Sequence, residues 1–179
     1  MAPGTADQRS PTARPPRVLV VDDEPQILVA LEDLLQPEFE VTATDQPEKA
    51  LRMAEADPEI AVVLSDQRMP GMTGDELLTR IRQNSSASRI LCTGYADLKA
   101  VVRSVNEGKI FAYVTKPWDG TDLRLKMHHA ADHFRLNHEL AQEKEALRVS
   151  EERLRLAFLA SNSGLFDWNL ETGETLYSA

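Results

Sequence analysis

The chain has 179 residues, 42% of them apolar and 27% charged, which leaves room for one full domain with a sizeable core and a remainder too short for a second. Acidic residues outnumber basic ones 29 to 20, a formal charge of −9, so an interface built on a phosphate backbone is disfavoured and no direct nucleic-acid partner is expected. No apolar run approaches the roughly 18 residues of a membrane span, no secretory leader pattern opens the chain, and the single Cys92 can close no internal disulfide; a cytoplasmic protein in a reducing compartment, away from membranes, is expected.

Residues 1–16 hold four of the ten prolines and show no apolar periodicity, so they read as a disordered leader, with the fold starting at Arg17. Apolar or β-branched runs then recur at Val18–Val21, Val41–Thr44, Ile60–Leu64, Ile90–Thr93 and Phe111–Thr115. Between them lie stretches with helical spacing: Ile27, Leu28, Leu31, Leu34 and Leu35; Ala50, Leu51 and Ala54; Leu77, Leu78 and Ile81; and the predicted helix Asp97–Asn106, with Leu98, Val101, Val102 and Val105. Five strands alternating with helices predict a doubly wound α/β domain with a parallel sheet, its first, third and fourth strands covered on both faces. In such a sheet the functional crevice lies beyond the carboxyl ends of the strands. Residues 121–160 carry no proline or glycine and predict one long helix. Leu140, Leu147 and Leu154 repeat every seventh residue along it, as in a coiled-coil seam, although the companion positions are Asn137, Lys144 and Glu151. After Ser161, two aromatic runs flank the turn-like Glu171–Gly173–Glu174 and predict a hairpin.

Polar residues stand where the strands end: Asp22, Asp23 and Glu24 after the first, Ser65 and Asp66 after the third, Thr93 at the end of the fourth, Thr115, Lys116 and Pro117 at the end of the fifth. Convergence of Asp22, Asp23 and Asp66 would raise at least one carboxyl pKa unless a cation sits among them. Oxygen donors with no histidine or cysteine nearby favour Mg²⁺. Lys116 adds a compact positive charge and Thr93 a hydroxyl donor. An aligned carboxylate, a hard cation and donors for phosphoryl oxygens are the parts needed to form an acyl phosphate.

The segments VVDDEP, SDQRMPGMTG, LCTGYAD and YVTKPW, in this order, resemble those of the receiver domains of two-component response regulators over residues 17–126. The resemblance implies a flavodoxin-like, five-stranded receiver fold with an extended C-terminal helix and a phosphoacceptor module, not an enzyme in its own right. Asp66 would be phosphorylated by a partner histidine kinase or phosphotransfer protein in a Mg²⁺-dependent reaction. Asp23 would ligate the metal directly, Asp22 through water, and the Arg68 backbone carbonyl would complete the protein ligands. Thr93 would donate to the phosphoryl group, Lys116 would pair with it, and Tyr113 falls at the family's aromatic switch position. The Arg68 side chain, two residues past the acceptor, would overhang the phosphoryl group and slow its hydrolysis.

Residues 127–160 then read as a coiled-coil-like helical linker, and a homodimer through residues 120–160 is expected. The tail RLRLAFLASNSGLFDWNLETGETLYS is similar to the opening helix and first hairpin of a PAS domain, with 161–179 as its incomplete start. Two alternatives stand beside the switch module. A Mg²⁺-dependent aspartyl-phosphate phosphohydrolase generally carries a second aspartate two residues after its nucleophile, where Arg68 stands, and a dimerisation scaffold would have only a vestigial pocket.

Overall fold

A computed structural model describes residues 14–94, 110–161, 165–168 and 175–178. The disordered leader is expected over residues of which only 14–16 are described, and the predicted helix Asp97–Asn106 and the turn at 171–174 lie outside the described residues. The chain divides into two compact units, residues 1–135 and 136–179.

In the first unit, strands β1 (Arg17–Val21), β2 (Glu40–Thr44), β3 (Ile60–Asp66), β4 (Ser88–Thr93) and β5 (Ala112–Thr115) form one sheet in the order β2-β1-β3-β4-β5. Every neighbouring pair is parallel. The sheet is thus the doubly wound one the alternation predicts, and its order reverses between β1 and β3, the switch point beyond whose carboxyl ends such sheets place their functional site. Alternate side chains go to opposite faces of each strand. Val18, Val20, Val62, Leu64, Ile90, Cys92 and Val114 are buried on one face with Leu31 and Leu35 of α1 (Pro25–Leu35). The same cluster takes in Leu123, Met127, Ala130 and Ala131 from the first turns of the C-terminal helix, α4 (Gly120–Ser161). On the other face Leu19, Val21, Val63 and Leu91 pack with Ala50 and Ala54 of α2 (Pro47–Ala56) and with Leu77, Leu78 and Ile81 of α3 (Gly74–Asn84).

Helices α1 and α2 both begin on a proline, whose fixed φ suits the first helical turn and whose missing N–H costs nothing there. Strand β3 runs two residues past the apolar stretch Ile60–Leu64 that marks it in the sequence. Ser65 and Asp66 stay in the ladder opposite Leu91 and Cys92, and the Gln67 N–H continues it by donating to the Cys92 carbonyl at 2.8 Å. Asp66 is therefore the last residue of the central strand and is fixed by the sheet itself.

Helix α4 runs unbroken to Ser161, in keeping with the absence of proline and glycine after Gly120. In the second unit Leu140, Leu147 and Leu154 are 49, 61 and 58% exposed, so the heptad stripe is not buried within its own chain. Strands β6 (Leu165–Trp168) and β7 (Thr175–Ser178) pair antiparallel as the expected hairpin, with Leu165 opposite Ser178 and Trp168 opposite Thr175. Among the described residues no helix is long and apolar enough to cross a membrane.

Candidate functional site

The carboxyl ends of β1, β3, β4 and β5 bring the sequence-predicted residues to one rim. Asp22 follows β1 and is buried; its Oδ1 accepts the Glu24 N–H at 3.0 Å, a turn that leads directly into α1. Asp66 is buried at the end of β3, with Oδ2 accepting the Arg68 N–H at 2.6 Å. From β5, the Lys116 ammonium reaches between them, 2.7 Å from Asp22 Oδ2 and 2.6 Å from Asp66 Oδ1. The Lys116 N–H extends the β4–β5 ladder by donating to the Thr93 carbonyl at 2.8 Å, and the Lys116–Pro117 peptide is cis.

Thr93 is fully buried and its hydroxyl donates to the Gly94 carbonyl at 3.2 Å. Tyr113 is half-buried against the α2–α3 side of the sheet. Asp23 is half-buried next to Asp22, and among the described residues its carboxylate makes no hydrogen bond or ion pair. Arg68 is exposed. The structure thus joins the side chains of Asp22, Asp66 and Lys116 directly; Asp23 adjoins Asp22, Thr93 ends β4 and meets Lys116 through its backbone carbonyl, and Tyr113 lies within β5.

Burial pulls the Lys116 ammonium down, but its hydrogen bonds to Asp22 and Asp66 outweigh this and hold it above the usual lysine value, firmly charged. Burial pushes the Asp22 carboxyl up, and the Lys116 and Glu24 hydrogen bonds only partly offset it, while the Asp66 charge adds to the rise. One ammonium does not compensate the acidic residues of this rim. The Cys92 thiol, buried on the strand beside Asp66, is pushed up to about 12, chiefly by desolvation, and stays neutral and inert.

Among the described residues no three Asp, Glu, His or Cys side chains gather into a metal cage. Mg²⁺ needs none, because it is held by one or two carboxylates and keeps several waters. The unpartnered Asp23 carboxylate and the incompletely compensated Asp22 fit that requirement.

Residues the strand-end pattern did not single out shape the loop after Asp66. A Cβ on Gly74, the first residue of α3, would lie 2.0 Å from the Asp66 carbonyl oxygen, so only glycine lets α3 start against the Asp66 backbone. Thr73-Gly-Asp-Glu76 has the form of a capping box, yet Thr73 makes no side-chain cap. Gln67 caps instead. Its carbonyl accepts the Gly74 N–H at 3.0 Å, its Oε1 accepts the Asp75 N–H at 3.3 Å, and its Nε2 donates to Asp75 Oδ1 at 2.8 Å. A cap supplied from eight residues upstream has no local spacing by which a sequence could reveal it.

A lysine bridging two strand-end aspartates at the switch point of a 2-1-3-4-5 sheet defines the receiver class of signalling domain. The family described as the response regulator receiver domain matches residues 18–128, and the chain belongs to it, as the receiver domain of a two-component response regulator. The chain is 40% identical over 102 residues to the hydrogenase transcriptional regulatory protein HoxA of Cupriavidus necator, covering 56% of this chain and 21% of that protein. It therefore spans only about a fifth of that relative's length. Among solved structures, a signal receiver domain of an HD domain-containing protein from Pseudomonas fluorescens Pf-5 is 35% identical, with a TM-score of 0.66 over 74% of this chain and 98% of that one. The structure described as an adenylate cyclase from Rhodopirellula baltica is 29% identical, with a TM-score of 0.69 over 75% of this chain and 98% of that one. Receiver domains are typically phosphoacceptors served by histidine kinases, and they usually bind Mg²⁺ at the phosphorylation site.

Proposed function

We propose that this chain is a phosphoacceptor switch in which Asp66 receives a phosphoryl group from a histidine kinase or phosphotransfer protein and passes the change to an output through α4. The observation that carries this reading is the Lys116 ammonium set between Asp22 and Asp66 at 2.7 and 2.6 Å. It orients the acceptor and offers positive charge where phosphoryl oxygens arrive. In the transfer an Asp66 carboxylate oxygen bonds to phosphorus as the donor's P–N bond breaks; the imidazole keeps that electron pair and takes a proton from solvent. Asp23 directly, Asp22 through water and the Arg68 carbonyl would hold Mg²⁺, which supplies neutralisation of phosphoryl-oxygen charge when bound. Thr93 then turns its hydroxyl from Gly94 toward the phosphoryl group, and Tyr113 moves inward behind it.

Arg68 stands where an aspartyl-phosphate phosphohydrolase generally places its second aspartate, which favours a lasting acyl phosphate over turnover. The exposed stripe Leu140, Leu147 and Leu154 supports a parallel homodimer through residues 120–160, and the β6–β7 hairpin supports the beginning of a PAS-like domain. The high acidic content and the absence of a membrane-crossing helix among the described residues support a cytoplasmic protein that binds neither nucleic acid nor membrane directly. Incubation with acetyl phosphate and Mg²⁺ should add one phosphate to the intact mass, and Asp66→Asn should add none. Equal labelling of Asp66→Asn would overturn the assignment.

A further inference from the structure

We infer that Gln67 is a positioning residue for phosphorylation, holding the acceptor loop to the start of α3 through a reciprocal bond with Asp75. The inference rests on Asp66 being the acceptor. All four polar groups of Gln67 are engaged. Its N–H donates to the Cys92 carbonyl of the neighbouring strand, its carbonyl accepts from Gly74, and its side-chain amide both donates to Asp75 Oδ1 and accepts from the Asp75 N–H.

Two of the N-terminal N–H groups that α3 leaves without intrahelical partners are thereby satisfied from one residue. Seven residues of loop and helix start, 68–74, are closed into a ring between Gln67 and Asp75. Within this ring lies the Arg68 N–H, whose 2.6 Å bond to Asp66 Oδ2 sets the rotation of the acceptor carboxylate. Lys116 fixes the other oxygen from across the sheet. With one carboxylate oxygen held from the loop and one from β5, the loop's position decides whether Asp66 faces the donor in line. Gly74 sharpens this dependence, since α3 abuts the Asp66 carbonyl with no room for a side chain.

Gln67 itself contacts neither the acceptor carboxylate nor Lys116 among the bonds the structure shows, so it acts through Arg68. Misplacement of reacting groups by about 1 Å can cost on the order of a hundredfold in rate. Gln67→Ala removes both side-chain bonds to Asp75 while leaving the backbone bonds possible. Gln67→Glu sets two carboxylates against each other. Adding Asp75→Asn to Gln67→Glu restores a donor and an acceptor with the polarity exchanged, because the side-chain amide then carried at position 75 can donate to the new carboxylate.

The test measures the initial rate of acetyl-phosphate labelling on the full chain at saturating Mg²⁺, together with the amide proton resonance of Arg68. Expected are a fall of about ten- to a hundredfold for Gln67→Ala and Gln67→Glu, an upfield move of the Arg68 amide as its bond to Asp66 loosens, and recovery to within about threefold in the double variant. Circular dichroism of each single variant matching the parent shows that it is folded. A Gln67→Ala chain labelled at the parental rate, or a double variant as slow as Gln67→Glu alone, overturns the positioning role while leaving Asp66 as the acceptor. A parent chain that takes no label overturns the acceptor reading and this inference with it.

Discussion

Asp22, just after β1, and Asp66, at the end of β3, are bridged by Lys116, and this three-residue contact explains why each residue type is needed. The half-buried Lys116 ammonium serves both buried carboxylates, so its removal would leave two acidic groups uncompensated. The aspartates differ in what they have to spare. Asp22 spends one oxygen on Lys116 and the other on the Glu24 N–H, whereas Asp23 has its carboxylate free among the described residues. That difference supports the proposed direct ligation by Asp23 and water-mediated contact by Asp22. Loss of an outer partner typically lowers metal affinity about 10–100-fold, so Asp22→Ala should lose affinity in that range and Asp23→Ala should lose more. Calorimetric titration with Mg²⁺ checks the order, and equal affinities in the two variants would reverse it. Exposed Arg68 stands two residues past Asp66, the proposed acceptor, where its side chain would shield an acyl phosphate from water. Arg68→Ala should shorten the phosphoryl lifetime severalfold in a phosphate-release assay, and an unchanged lifetime would show the side chain turned to solvent.

Among the elements, α4 has two characters in one helix. Its first turns bury Leu123, Met127 and Ala130 beneath the sheet with α1, while Leu140, Leu147 and Leu154 further along are exposed. Buried Leu or Met to Ala substitutions cost about 2–5 kcal/mol, so Met127→Ala should lower the stability of the first unit by that order. Leu147→Ala should leave the stability of the first unit within about 0.5 kcal/mol, because Leu147 lies outside that unit. Urea unfolding followed by circular dichroism separates the two, and a comparable loss from both would show Leu147 buried in the folded chain. The strands and the site they carry were legible in the sequence because buried parallel strands write themselves as continuous apolar runs, and their polar ends stand out against them. Less legible was where each element stops. Ser65 and Asp66 are polar yet remain in β3, because pairing with Leu91 and Cys92 satisfies their backbone whatever their side chains. The α3 cap was invisible for a different reason: Gln67 reaches Asp75 only once the loop has folded back.

For the whole chain, phosphorylation at one rim of the sheet can reach a distant output only through an element with two discrete arrangements. Helix α4 begins five residues after Thr115, the last residue of the strand that carries Tyr113, and runs unbroken to Ser161. Paired with its copy along the leucine stripe, with Asn137, Lys144 and Glu151 weakening the seam, it would form a joint that can change register. Light scattering should show residues 1–179 as a dimer and residues 1–135 as a monomer, and a monomeric full chain with and without phosphorylation would contradict this. The acceptor assignment on which all of this depends has its most direct measurement in trapping the acyl phosphate itself. After transfer from a phosphohistidine donor in the presence of Mg²⁺, borohydride reduction and peptide sequencing should place homoserine at position 66 and nowhere else. Homoserine at another aspartate, with Asp66 intact, would contradict the assignment.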